Sequence, residues 1–462
     1  MNTPSSREDR IRSLPEHVRE RLRSRLAGRA RPRNQIVPAP RDRDLPLSSA
    51  QQRLWFLNEL ERGSPEYNSG LVLRLRGSLD VDSLRVALTR VVARHEALRT
   101  TFDTLDGEGV QRIQPAADVP LVVHELLAGL DHGDGASRGT HHEGQGGTAP
   151  ELDRLLRGEL ARPFDLGNGP LLRATLVREA PEDHVLLVAM HHIVTDGAST
   201  EILTRELAAF YEEATGGPRA DLPELPVQYA DYAVWQREQL SGQALESQLD
   251  YWRRHLADVT PLELPTDRPR PSIRGSAGAL HSFSVPADLT AALGSLGRAR
   301  GTSLFMTLTA ITKLLFARYS GQRDIALGTA TSGRERAELE GLVGFFVNTV
   351  VLRSRLNDDR SFAEFLDEVR EDVLRAFANQ EVPFARLVEE LAPERDQSRT
   401  PLVQAMVVLQ NAAPPFDGTS GGVRFEEVPV PRDVSAFELT LQFQEQAGGV
   451  LAGAVEFNTD LF

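Results

Sequence analysis

The run VLLVAMHHIVTDGASTE at residues 185–201 constrains the fold more than any other stretch. Val185–Met190 is apolar without a break, so residues 183–190 read as a buried strand. Two adjacent histidines and an Asp-Gly turn follow, then an amphipathic helix predicted over 199–215 that ends at Gly216-Gly217. Neighbouring strand residues point to opposite faces, so if the strand continues through the pair, His191 and His192 cannot both address one site. One should face the interior and the other a cleft. A zinc centre needs three converging ligands and a supporting shell, which this geometry does not offer, so no metal is expected. Gly197 lets backbone approach whatever fills the cleft. Ser199 or Thr200 can cap the helix that follows. Asp196 has two readings: it orients the histidine directly, or it pairs with a distant Arg and fixes the loop. Either leaves one histidine as a positioned base, with no side-chain nucleophile in the motif.

A chain of 462 residues exceeds what one core usually supports, so two lobes are expected. No apolar run is long enough to cross a bilayer and the N-terminus lacks a signal-peptide core, so a cytoplasmic protein with no membrane contact is expected. The absence of Cys excludes disulfides, thiolate metal sites and a cysteine nucleophile; any thiol chemistry takes its thiol from a substrate. The net charge of −14 argues against nucleic acid as a partner. Lys313 is the only lysine, and this Arg bias reads as a GC-rich genome rather than a phosphate-binding device.

Residues 1–44 stand apart, with 12 Arg against 6 acids. Ile11, Leu14, Val18, Leu22 and Leu26 form one apolar stripe, with Ser13 and Glu16 at capping-box spacing and Gly28 as the stop. This is a basic linker or docking helix. Residues 127–150 are glycine-rich and read as a surface insertion, which makes His141-His142 a decoy. Pro-rich stretches at 217–227 and 261–271 suggest a crossing between lobes, expected over 45–216 and 217–462. Helices are predicted near 80–97, 302–319, 361–378 and 384–391. Strands are predicted near 324–330, 345–352, 402–410, 424–430, 437–444 and 450–457. Together these describe two mixed α/β halves.

Seven stretches carry a resemblance: LSSAQQRLWFLNEL (47–60), RHEALRTTF (94–102), MHHIVTDG (190–197), YADYAVWQ (229–236), ALGTATSGRERAELEGLVGFFVNTVVLR (326–353), NQEVPFARLVEEL (379–391) and RDQSRTPLVQAMVVLQN (395–411). In this order and spacing the chain resembles a condensation domain of nonribosomal peptide synthetases from about Leu45 to Phe462. The resemblance implies a V-shaped pair of lobes, each like chloramphenicol acetyltransferase, with the active site at their junction. It implies amide-bond formation between a donor acyl thioester and an aminoacyl acceptor. Upstream and downstream peptidyl carrier proteins would present both on phosphopantetheine arms, beside a neighbouring adenylation domain. No cofactor would be bound by this domain itself.

The same resemblance makes His192 catalytic, with Asp196 and Gly197 beside it. His191, Arg334 and Asn348 become structural support, with Arg334 the partner of a buried Asp196 ion pair. Arg94, His95 and Arg99 are read as organising the first lobe, and Trp55, Tyr232 and Trp235 as core. SSAQQRLWFL with EYN at 66–68 resembles the subtype taking L-configured donors and disfavours an epimerase. Asn379-Gln380 stands where relatives often carry His-Gln, and Ala198 where some carry Trp. The last residues, TDLF, precede the terminal helix usual in relatives, so an excised piece of a larger synthetase is expected. The alternatives are an N-acylating starter, an ester-forming relative, or an inactive carrier-binding or recruitment module.

Overall fold

A computed structural model of the chain describes residues 35–126, 149–391, 396–410, 416–430 and 433–462. The predicted basic helix within 1–34 and the stretch 127–148, with His141-His142, lie outside the described residues. Residues 35–44 lie on the main fold: Ala39 N–H donates to Asp231 (2.7 Å), and Arg41 pairs with Asp231 and Glu96 (both 2.7 Å). Residues 149–150, expected within the glycine-rich stretch, belong to the helix Ala149–Ala161. No described helix is long and apolar enough to cross a membrane.

Two six-stranded sheets dominate. In the first, the strands run in the order Asp417–Ser420, Val423–Val428, Asn68–Arg76, Asp183–His191, Leu172–Ala180 and Leu121–Glu125. Asp183–His191 is central and antiparallel to both neighbours, with Asn68 opposite His191. Every residue from His184 to His191 is buried, as an unbroken apolar run demands. Helices Val81–Arg94 and Gly197–Ala214 share the core through Leu84, Leu88, Leu203 and Leu207.

The second sheet runs Asn348–Arg355, Asp324–Thr331, Ala405–Gln410, Leu439–Glu445, Leu451–Asn458 and Gly278–Val285. The helices Leu304–Ser320 and Phe362–Ala378 pack on it. A small third sheet joins Leu45–Pro46, Glu108–Ile113 and Thr100–Leu105. The second half of the chain thus builds its own sheet and also completes the first, since Val423–Val428 covers what would be an open edge of Asn68–Arg76.

Most predicted elements hold within a few residues, and two differ for a physical reason. The helix expected over 80–97 ends at Arg94 and tightens into a 3₁₀ turn, Glu96–Arg99. The strand expected over 345–352 begins only at Asn348. Residues 344–346 are apolar, but their backbone groups bond to the side chains of Ser199, Tyr229 and Asp196 instead of to a strand.

Candidate active site

The central strand stops at His191, and a 3₁₀ turn His192–Val194 carries the chain to Asp196. His191 is buried against Phe164 in an edge-to-face contact (6.3 Å, 81°), and its Nδ1 accepts from Ile193 N–H (3.1 Å). Burial, aided by the neighbouring His192, pushes its imidazole down to about 3. It therefore stays neutral and shapes the turn.

His192 is half-buried, and its N–H donates to Tyr67 O (2.8 Å). Its Nδ1 lies 3.1 Å from Thr195 O, and a carbonyl can only accept, so Nδ1 carries the proton of the neutral ring. Nε2 is then the basic atom. Phe345 from the second lobe stands against the ring at 5.9 Å. Nothing lies within 4 Å of a Cβ built on exposed Gly197, so the space over this residue is open.

Asp196 is the N-cap of Gly197–Ala214, a role the sequence suggested for Ser199 or Thr200. Its Oδ1 accepts from Ser199 N–H (3.0 Å) and Oγ–H (2.8 Å), and its Oδ2 from Arg334 Nη1 (2.6 Å) and Phe346 N–H (3.1 Å). The position suits a carboxylate, since a helix N-terminus offers unpaired N–H groups and positive potential. With four donors on two oxygens, Asp196 is fully engaged in holding the turn to the second lobe.

Arg334 spreads over Asp196, Ser199 Oγ (3.0 Å) and Leu342 O (3.1 Å), with its guanidinium 4.2 Å above the Phe346 ring. Asn348 reaches the other way. Its Nδ2 donates to Gln380 O (2.7 Å) and Val382 O (2.9 Å), and its Oδ1 accepts from Phe384 N–H (3.0 Å). It thereby ties the NQEVPF segment to the crossing segment. The structure thus brings His191, His192, Asp196, Gly197 and Arg334 together, and Asn348 joins them through the segment that carries Phe345.

A cavity of about 340 Å³ opens at the junction, lined among others by Arg53, Trp235, Glu335, Phe345, Asn348 and Glu381. Phe345 is common to this cavity and to the histidine. Burial raises the Glu335 carboxyl, and the charge of Glu381 adds to it. Trp235 and Trp55, expected in the core, are only partly buried, whereas Tyr232 is 7% exposed. Arg94 and His95 both bind Glu206 (3.0 and 2.8 Å) inside the first lobe.

Sequence reasoning missed Ser48, Ser199 and Tyr229 as parts of this site. Ser48 carried a readable signal, because Ser48 and Gln51 form a capping box at the start of the helix Ser49–Leu60. Tyr229 opens the YADYAVWQ stretch, but nothing local in that stretch shows that its hydroxyl reaches Phe345.

Residues 41–462 match the model of the condensation-domain family. Over 462 residues the chain is 43% identical to part of a linear gramicidin synthase from Brevibacillus parabrevis, covering 98% of this chain and 6% of that relative. It therefore spans a small part of the length of such relatives. Among solved structures, the X-domain in complex with OxyB from teicoplanin biosynthesis is similar at TM-score 0.81 and 28% identity, over 93% of this chain and 91% of that one. The first condensation domain of the calcium-dependent antibiotic synthetase has the same fold at TM-score 0.73 and 21% identity, over 92% of each chain. Two lobes, each of the chloramphenicol acetyltransferase type, match what the motifs imply. The chain belongs to the condensation domains of nonribosomal peptide synthetases, a family of acyltransferase-type enzymes.

Proposed function

We propose that this domain joins a carrier-bound acyl or peptidyl thioester to a carrier-bound aminoacyl acceptor, with His192 as the base. The observation that carries this reading is the half-exposed imidazole standing against Phe345, with its proton held on Nδ1 by Thr195 O. The acceptor amine attacks the donor carbonyl, the C–N bond forms and the C–S bond breaks. His192 Nε2 takes the proton shed by the amine and returns it to the leaving thiolate. An α-amino group has a pKa of about 7.7–8.0, so part of it is already neutral near pH 7 and a strong base is unnecessary. Holding the amine and receiving its proton is enough. The thiols belong to phosphopantetheine arms of upstream and downstream peptidyl carriers, which accords with a chain that has no Cys. A neighbouring adenylation domain would load the acceptor carrier. EYN at 66–68 supports an L-configured donor, and the site of action would be the cytoplasm.

Single-turnover assays with loaded carriers test this. His192→Ala should lower amide formation by ~10²–10⁴ while carrier binding persists; wild-type rates in a folded variant would refute the assignment. The likeness to the X-domain, in a complex with OxyB, favours one second reading, a recruitment module. Wild-type protein that binds carriers but forms no amide or ester would support it. Ester rather than amide products with a hydroxyl acceptor would indicate the ester-forming alternative, and transfer only from a fatty acyl donor would indicate a starter.

A further inference from the structure

Phe345 stands against His192, and what fixes Phe345 lies outside the histidine motif. Tyr229 begins the helix Tyr229–Gln239 and is 1% exposed. Its hydroxyl lies 2.5 Å from Phe345 O and 2.7 Å from Ser48 Oγ. The carbonyl can only accept, so the bonds run one way: Ser48 Oγ–H to Tyr229 Oη, and Tyr229 Oη–H to Phe345 O. Ser48 Oγ also accepts from Gln51 N–H (3.1 Å), and Gln51 Nε2 reaches Ile193 O (3.3 Å) in the turn that begins at His192. The segment Ser48–Gln51 therefore touches the histidine turn directly and the Phe345 wall through Tyr229.

We infer that Tyr229 is a positioning residue for the reaction: with Ser48 it holds the Phe345 carbonyl so that the Phe345 ring stays against His192. This rests on the reading of His192 as the base. Gly344 and Phe346 on either side are pinned separately, their N–H groups bonding to Ser199 Oγ (3.1 Å) and Asp196 Oδ2 (3.1 Å). Loss of the Tyr229 hydroxyl thus frees one peptide and leaves the segment in place. The ring of Tyr229 fills the remaining room: it packs on Phe346 at 4.7 Å, and a Cβ added at Gly344 would come within 2.0 Å of it. Tyr229→Phe keeps those contacts and deletes only the bonds. Burial holds the phenol well above its usual range, so it remains a donor throughout the working pH range.

Single-turnover rates with loaded carriers, measured from pH 5.5 to 8.5, test the inference. Tyr229→Phe should fold, lose about tenfold in rate with unchanged saturation by the acceptor carrier, and shift the acidic limb of the profile. That limb shifts because the Phe345 ring is part of the surroundings of the imidazole that takes the proton. Phe345→Leu should show the same shift, and the double variant should lose no more than the worse single. Wild-type rate and profile in Tyr229→Phe, or additive losses in the double variant, would overturn the inference. If Tyr229→Phe fails to fold, Phe345→Leu decides alone, and a wild-type profile there overturns it equally. His192→Ala runs alongside. Full activity in that variant removes the base assignment itself, whereas an inactive His192→Ala beside an unaffected Tyr229→Phe removes only the role given to Tyr229.

Discussion

At the scale of single residues, Asp196 shows how much one carboxylate can hold. It caps a helix, binds the Arg334 guanidinium and accepts from the Phe346 backbone, while being 2% exposed. The Arg334 side chain is 6% exposed, so the pair is buried. Removing one partner of such a pair leaves the other charge without compensation, at roughly 3–5 kcal/mol. Asp196→Ala should therefore lower the urea midpoint and the soluble yield together with activity. An Asp196→Ala protein with wild-type stability and no activity would instead assign Asp196 a direct part in the chemistry.

At the scale of elements, the one lysine shows how tertiary packing overrides composition. Lys313 lies on the helix Leu304–Ser320, fully buried, with Nζ 2.7 Å from Ser354 Oγ. Ser354 Oγ in turn donates to Asp372 Oδ2 (2.7 Å) on the helix Phe362–Ala378, so one polar chain links two helices and the strand between them. Burial pushes the Lys313 ammonium down to about 7, with Asp372 and Asp324 offsetting part of the effect. The unfolded lysine keeps its proton to about 10.4. Between those values the unfolded chain binds the extra proton, so stability climbs with pH and is lowest below about pH 7. Lys313→Met should remove that slope and stabilise the protein at pH 7 by ~1–3 kcal/mol, as replacing buried charge with apolar volume often does. Urea unfolding at pH 7 and 9.5 reads both effects. A variant less stable than wild type with the slope intact would show the polar chain to be net stabilising.

At the scale of the whole molecule, the two lobes are joined by more than the histidine site. Phe425, on a strand from the second half, is fully buried in the first lobe's core and meets Tyr211 edge to face at 5.6 Å. Arg274 pairs with Glu66 (3.6 Å), and Arg53 lies 5.8 Å from the Phe384 ring. Truncating a buried Phe to Ala costs about 3–5 kcal/mol. Phe425→Ala should therefore lower the first unfolding transition and make the edge of Asn68–Arg76 accessible, read as faster limited proteolysis in the first lobe. Unchanged proteolysis and unfolding would show that the crossing strands are dispensable to the first lobe.

Much of this was legible in the chain itself. The helices Phe362–Ala378 and Phe384–Leu391 and the strands Asp183–His191 and Asp324–Thr331 were readable within a residue or so, because side-chain periodicity and caps are local. The split between a buried His191 and a half-buried His192 was expected from strand alternation, but the strand ends at His191 and it is the 3₁₀ turn that separates the two. The ordered motifs supplied what no period could, the pairing of Asp196 with an arginine 138 positions away. Only the tertiary structure decided the rest. It placed Asp196 rather than Ser199 at the helix start, set FFV of 345–347 in a crossing segment instead of a strand, and brought Tyr229 to Phe345. It also buried Lys313 and laid Val423–Val428 on the opposite lobe. Each of these depends on groups far apart in sequence competing for the same buried hydrogen bonds and volume, and that competition is settled only once the lobes have packed.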